Sequence, residues 1–497
     1  MHHPLRFYFS TASLLGGWLL FSSVQLGSPD TSLPRPRIDP SAQQGSYLGY
    51  GIGIHGGDLI YPRVFDALKP RFVRMEFGPD WDKLLEPVPT GVSVEELVDY
   101  ITRNYNADAY DRLMGARDAS DFFAARETQL IQILFEIPYR WRTQDESSQL
   151  KPEHIEDLAR FHTAHLSFLD SHGVRPHYME LSNEPDGFWN GYIAPADYNR
   201  LVLQCAALFD QHLDQPPRIL GPGLTFLNLH GWGPAYFEAL EPAAIDALHG
   251  WSTHCWDEVE FQSSRPEYTY GVWQPFIDQT TRLDPERSKP VFVTEYATDV
   301  LHYGDQSFAS PRDQITHNAV GSWPYAVRVV ANSITHLNRG ANALVLYRLS
   351  NSHWHDTGWG IIQPLTPQHF RAKPIYFALA EFFSCLPVGA TILQPTWYSH
   401  DDPITLSVFL EDGGKLTVLA TNTSSKPEHQ VLQLPSSYAT IENLAGLSSD
   451  GHYQPQATIQ TTKNGKSLSL ELPPQSIARI ELLRANHTRR GTNSGDE

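Results

Sequence analysis

The sequence predicts an α/β protein: a (β/α)8 TIM barrel followed by a C-terminal antiparallel β-sandwich. Three observations carry this. Between about 46 and 380, eight short apolar, β-rich runs alternate with helix-like stretches, as in a closed parallel barrel. After about 388 the runs alternate polar with apolar and are divided by turn signals, as in a sandwich. The length of 497 residues suits a barrel of about 250 residues or more plus one smaller module.

The barrel strands are read in order as Gly49–His55, Phe72–Phe77, Ile131–Ile137, His177–Asn183, Arg218–Gly223, Leu248–Cys255, Val291–Glu295 and Ala343–Arg348. Helical patterns lie between many of them, for example Pro152–His172 and Pro195–His212. The stretch 84–128 mixes helix and loop and fits the scheme least well. The sandwich strands are read as Ile404–Leu410, Lys415–Thr421, Gln430–Leu434, Thr458–Thr462, Leu468–Leu472 and Ile477–Leu482. Asp412-Gly413-Gly414 and Asn464-Gly465 mark two of the turns between them.

The amino terminus differs from the rest. Arg6 precedes the apolar run Leu14–Phe21, which reads as a secretory signal peptide or, if uncleaved, an anchor. The domain plan is therefore a signal or anchor over 1–28, a polar, Pro-rich linker over 29–45, the barrel over 46–387, the sandwich over 388–484 and a disordered tail over 485–497. The expected location is secreted or periplasmic, membrane-anchored if the segment stays, with no other run long enough to span a membrane.

Hydrophobic residues make up 41% and charged residues 19%, with 12 Trp, 22 Tyr and 24 Phe, which excludes a mostly disordered chain. The net charge is −19. An acidic surface repels nucleic acid and anionic membranes but not neutral sugars. Cys205, Cys255 and Cys385 are too few for a disulfide framework and lack zinc spacing, so they read as small buried residues.

Two motifs carry chemistry. Glu180-Leu181-Ser182-Asn183-Glu184-Pro185-Asp186 ends the fourth barrel strand, and Pro290-Val291-Phe292-Val293-Thr294-Glu295-Tyr296 is the seventh. Barrel active sites are built at the C-terminal ends of strands. Period-two alternation puts Val291, Val293 and Glu295 on one face. Two carboxylates on one barrel face are what glycosidic hydrolysis needs: one donates a proton to the leaving oxygen, and the other attacks the anomeric carbon or activates water.

These motifs resemble retaining glycoside hydrolases of the large clan of (β/α)8 barrels, whose acid/base lies on strand four and whose nucleophile lies on strand seven. The chain is most similar to glycoside hydrolase family 30, which includes glucosylceramidases, β-1,6-glucanases and glucuronoxylanases. Further islands of resemblance are 371–382, like the last barrel helix, 388–392, like the entry to the sandwich, and 472–477, like its closing strand. The resemblance implies Glu184 as acid/base, Glu295 as nucleophile and Asn183 as the group binding the sugar 2-hydroxyl. It implies that Arg74 holds the nucleophile ionised and that His254 lies beside it. Many relatives carry a tyrosine two residues after that histidine, where this chain has Trp256. The implied activity is a retaining β-glycosidase, without cofactor or metal, on a carbohydrate substrate.

Aromatics follow the strands at Trp81, Tyr139, Trp141, Trp189, Tyr192, Trp256, Trp354 and Trp359. Flat apolar rings match the C–H faces of pyranoses, so Trp189, Trp256, Tyr296 and Trp354 join the expected substrate contacts. Glu136 is a further acid at a strand end. Gly51-Ile52-Gly53-Ile54-His55-Gly56 fits G-x-G-x-x-G with Glu76 beyond it, which keeps a nicotinamide-dependent oxidoreductase as an alternative. His353-Trp354-His355-Asp356 is a weak metal motif. A barrel that binds carbohydrate without catalysis is the other alternative.

Overall fold

The structure is a computed structural model. The residues it describes are 37–55, 61–76, 86–104, 117–118, 120–133, 137–145, 148–187, 191–225, 233–256, 266–297, 320–351, 359–366, 368–395, 403–462 and 465–484. They all lie in one compact unit, Arg35–Glu497. The expected signal and tail fall outside the described residues, as do Glu136, Trp81, Trp189 and the 353–356 motif. No helix among the described residues is long and apolar enough to cross a membrane.

Strand β1 (Ile38–Ser46) is followed by eight strands that close a parallel barrel: β2 (Gly49–His55), β3 (Phe72–Glu76), β4 (Gln129–Ile133), β5 (Tyr178–Glu180), β6 (Arg218–Leu224), β7 (Leu248–Trp256), β8 (Val291–Ala297) and β9 (Ala343–Leu346). All eight expected strands are present, the first with its expected bounds and the others with shifted ends. Around them run α1 (Pro62–Leu68), α2 (Val94–Asn104), α3 (Ile155–Ser171), α4 (Pro195–His212), α5 (Gly233–Ala239), α6 (Pro242–Ala247), α7 (Pro266–Leu283), α8 (Trp323–Asn338) and α9 (Pro374–Phe382). The unclear stretch 84–128 holds α2, whose Val94, Leu97 and Ile101 are buried one turn apart.

The strands sort their side chains by alternation. Phe72, Ile131, Tyr178, Leu220, Phe292, Ala343 and Val345 form a separate apolar plug inside the barrel. Their neighbours, such as Val73, Met179, Val291, Val293 and Leu344, pack outward against the helices. The glycines of the G-x-G pattern serve close packing in β2. A side chain on Gly51 would meet the Phe72 carbonyl at 2.5 Å, and one on Gly53 would meet the Tyr347 carbonyl at 2.2 Å. They are used inside the barrel wall, which removes the dinucleotide reading.

A hairpin of β10 (Ile362–Thr366) and β11 (His369–Ala372) precedes α9. The sandwich follows: β12 (Thr391–Pro395), β13 (Ile404–Leu410), β14 (Leu416–Asn422), β15 (Glu428–Leu434), β16 (Tyr438–Ser448), β17 (Gly451–Tyr453), β18 (Gln456–Thr462), β19 (Gly465–Leu472) and β20 (Ser476–Arg484). A seven-stranded sheet, β1-β12-β13-β14-β20-β16-β17, faces a three-stranded one, β15-β19-β18. The expected linker is thereby corrected: 38–46 is an edge strand paired antiparallel with β12. Pro40 is compatible with this because an edge strand leaves one side of its backbone unpaired.

Barrel and sandwich meet mainly through α8, which packs on β12, β13, β14 and β20. Asn338 Nδ2 donates to the Leu406 carbonyl at 2.8 Å, and Trp323 Nε1 donates to the Gln475 carbonyl at 2.6 Å. Helix α9 packs between α1 and α8 and leaves Phe377 exposed. Of the three cysteines only Cys205 is fully buried; Cys385 is exposed.

Candidate active site

The apolar plug ends one layer below the C-terminal mouth. Two residues beyond Phe72, Tyr178 and Phe292 on the same strands come Arg74, Glu180 and Thr294. Alternation therefore sets a cation, a carboxylate and a hydroxyl in the lumen directly above the plug. All three are buried. A buried charge is tolerated only when paired, and Arg74 is paired on every side. Its Nε donates to Glu180 Oε2 at 3.0 Å, its Nη1 to Glu295 Oε2 at 2.7 Å and its Nη2 to Asn183 Oδ1 at 2.7 Å. Burial opposes its charge, but Glu180 first and Glu295 second outweigh this, and its pKa is raised.

Glu295 reaches the lumen through a β-bulge. In the pairing of β7 with β8, Thr253 lies opposite Val293 and His254 opposite Glu295, so Thr294 is an extra residue. A bulge breaks the two-residue period. Thr294 and Glu295 consequently both point inward. Thr294 Oγ1 donates to Glu180 Oε1 at 2.7 Å. This corrects the expected shared face, since Val291 and Val293 pack outward. The next residue, Tyr296, is also corrected as a substrate contact. Its ring is buried to 1% exposure against α8, with its hydroxyl 2.8 Å from Ser333 Oγ and its ring against His336.

Glu184 lies beyond β5 in a tight turn and has φ of 52°. The left-handed region costs a side-chain-bearing residue of order 1 kcal/mol or more, and persists where surroundings fix it. Here the turn is held on three sides. Gly187 N donates to the Glu184 carbonyl at 2.8 Å, Ile193 N to the Pro185 carbonyl at 2.8 Å, and the Tyr236 hydroxyl to the Pro185 carbonyl at 2.8 Å. Asp186 anchors it to the end of β6 by accepting from Thr225 N and Oγ1, both at 2.9 Å. Burial pushes the Asp186 carboxyl up to about 6; the Thr225 bonds oppose this and the Glu184 charge adds to it.

His254 ties the two halves together. Its Nδ1 lies 2.8 Å from Glu184 Oε1 and 4.0 Å from Glu295 Oε1, and its Nε2 lies 3.2 Å from Arg74 Nη2. The guanidinium has only donors, so in the neutral ring Nε2 accepts from Arg74 and Nδ1–H donates to Glu184. Burial lowers the proton affinity of the ring, but Glu295 and Glu184 outweigh it and the pKa is raised. One atom each of Glu184, His254 and Glu295 lie within 4.8 Å of one another. Three such groups can hold a metal ion, but the Arg74 guanidinium already supplies the positive charge there and repels a second cation.

Five expected site residues thus converge: Glu184, Glu295, Asn183, Arg74 and His254. Tyr296 does not. Trp189 and Trp354 lie outside the described residues, as does the side chain of Trp256. Trp141 is a core residue stacked on His154 with ring centroids 5.6 Å apart. Sequence reasoning missed Glu180 as a member of the site, together with Asp186 and Tyr347. Tyr347 follows β9; burial and then Glu295 push its phenol up to about 12. The signal for Glu180 was available, because it sits two residues beyond Tyr178 on a strand whose plug-facing register could be counted.

No protein-family model and no curated protein matches this chain. Solved structures do. Xyn30A from Clostridium acetobutylicum, a glycoside hydrolase family 30 subfamily 8 xylanase, superposes with a TM-score of 0.61 at 15% identity, over 90% of this chain and 99% of that one. An endo-beta1,6-glucanase gives a TM-score of 0.59 at 12% identity, over 91% and 95%. A family 51 arabinofuranosidase from Xanthomonas axonopodis pv. citri gives 0.57 at 14% identity, over 90% and 99%. At these identities the likeness is one of fold: a TIM barrel with a β-sandwich, similar to structures of glycoside hydrolase family 30.

Proposed function

We propose that this chain is a secreted retaining β-glycosidase that hydrolyses a β-linked glycan or glycoconjugate by double displacement. The observation that carries the reading is the approach of Glu184 and Glu295 at the barrel mouth. Oxygens of the two carboxyl groups lie within 4.8 Å. A retaining pair is set about 5–5.5 Å apart, whereas an inverting pair leaves about 6.5–9.5 Å for a water.

In this reading Glu184 gives its proton to the glycosidic oxygen while Glu295 attacks the anomeric carbon. The leaving sugar departs as the alcohol, and a glycosyl ester forms on Glu295. Glu184, now a carboxylate, takes a proton from water; the water oxygen attacks the same carbon and frees Glu295. Arg74 keeps Glu295 ionised and aimed. Arg74 also holds Asn183 Oδ1, which leaves Nδ2 beside Glu184 Oε2 at 3.5 Å; in this reading that amide donates to the sugar 2-hydroxyl. The bulk charge of −19 favours a neutral glycan or glucoside over an anionic polymer.

Aryl β-glucoside, xyloside, galactoside and glucuronide assayed side by side test the reading. Turnover of at least one is expected. Glu295→Ala should lose nearly all of it, by about 10⁴-fold or more. Glu184→Ala should lose less on aryl substrates, whose leaving group needs no proton, and azide should restore part of its rate. Equal, azide-insensitive losses would contradict the assigned roles. Glucuronoxylan outpacing every neutral glucan would overturn the substrate charge.

A further inference from the structure

Among the described residues, Glu180 is a lumen carboxylate set below the reacting pair. It is 1% exposed, lies beneath Glu184 and Glu295, and spends both oxygens on neighbours. Oε2 accepts from Arg74 Nε at 3.0 Å and Oε1 accepts from Thr294 Oγ1 at 2.7 Å. Gly223, with φ of 65°, leaves room for it: a side chain there would come within 3.0 Å of Oε1. Its two partners are themselves partners or neighbours of Glu295, since Arg74 Nη1 bonds Glu295 Oε2 and Thr294 is the bulge residue that turns Glu295 inward.

We propose that Glu180 is a positioning residue that shares the Arg74 charge with Glu295 and so sets the pH range in which the Glu184–Glu295 pair works. The proposal rests on the glycosidase reading for its rate effects, though not for its electrostatics. A single guanidinium serves two carboxylates on different edges. Arg74 bonds Glu180 through Nε at 3.0 Å and Glu295 through Nη1 at 2.7 Å, so part of the positive charge is spent below the reacting layer. Glu180 also repels a charge on Glu295 directly. Both effects leave Glu295 a better nucleophile than it would be facing Arg74 alone, because an anion neutralised by a cation is less reactive. Thr294 Oγ1 adds the mechanical part, as its bond to Glu180 pins the bulge.

The titratable and charged groups that the described residues set around Glu180 and its partner Arg74 are few. They are Glu184 and Asp186 beyond β5, His254 on β7, Glu295 on β8, Tyr347 and Arg348 beyond β9, and Tyr198 on α4, which feels the Glu180 charge. None of them replaces Glu180 on the Nε edge of Arg74.

Glu180→Gln keeps the shape and can keep both hydrogen bonds, but removes the charge. The pH profile of kcat/KM should then move to lower pH on both limbs, by about half a unit to one unit. Glu295 would ionise more readily, and Glu184 would lose its proton more readily. At the optimum kcat should fall about 10- to 100-fold with KM little changed. Glu180→Asp, which restores the charge at a shorter reach, should recover part of the profile. An unmoved profile with only a lowered Tm would show a purely structural residue and overturn the proposal, as would a shift to higher pH. Carboxyl-¹³C glutamate spectra of the full chain, with Glu295 assigned through Glu295→Gln, read the same shift without turnover. Glu295 titrating at unchanged pH in Glu180→Gln would refute the proposal even if no glycoside were cleaved, and an inactive wild type would refute only the glycosidase reading.

Discussion

At the residue scale, the site is a problem in charge accounting solved by placement. Arg74, Glu180, Glu184, Asp186, His254 and Glu295 are all buried within a few ångströms of the barrel mouth. Asp186 gives the cleanest pH test. Its folded value of about 6 lies above the usual aspartate value of about 3.9. Between about pH 4 and 6 the folded chain therefore binds more protons than the unfolded one, and stability falls as pH rises through that window. Asp186→Asn, which keeps an oxygen for Thr225, should thus be more stable than wild type at pH 7, by roughly 2–3 kcal/mol as an upper figure. At pH 4 it should differ little. Urea unfolding at the two pH values checks this, and an equal difference at both would contradict it. Asn183, Glu184 and Glu295 were legible because their motifs end strands. Glu180 was legible only by counting the plug-facing register of β5 from Tyr178, since its motif alone does not separate a carboxylate below the reacting layer from one in it.

At the element scale, β8 shows where pattern reading fails. The run 291–296 is a strand, but one extra residue reverses which side chains face the lumen after Val293. Hydrophobic alternation cannot reveal a bulge when the residues on both sides of it are β-branched, aromatic or acidic. The result is that Glu295 faces in and Tyr296 faces out. Tyr296→Phe should accordingly lose the Ser333 contact, lowering stability by about 0.5–1.5 kcal/mol, while leaving kcat and KM within about twofold. A large rise in KM would return Tyr296 to the substrate site. Strand β1 was illegible for a different reason. It is a Pro-containing edge strand whose pairing partner, β12, is about 350 residues away in sequence, so no local signal supports it.

At the scale of the whole molecule, the barrel and sandwich were separable in the sequence because their hydrophobic periods and turn residues differ. Their interface was not, because it is made by α8, a helix whose buried residues include those facing β13 and β14 as well as those facing the barrel. Ending the chain at Pro387 would uncover that face and leave β1 without β12. Such a fragment is expected to be insoluble; a soluble and fully active one would show the sandwich to be an independent module.

In the proposed mechanism Glu295 forms a bond to the substrate while Glu184 moves the proton. An aryl 2-deoxy-2-fluoro-β-glycoside tests this most directly. The fluorine destabilises the electron-poor transition states of both steps, and the good leaving group restores the first, so the glycosyl ester accumulates. Peptide mass spectrometry of the inactivated chain is expected to find the sugar on Glu295, and Glu295→Ala is expected to take up none. A label on another residue, or rapid hydrolysis of the unmodified substrate with inversion at the anomeric carbon, would contradict the account.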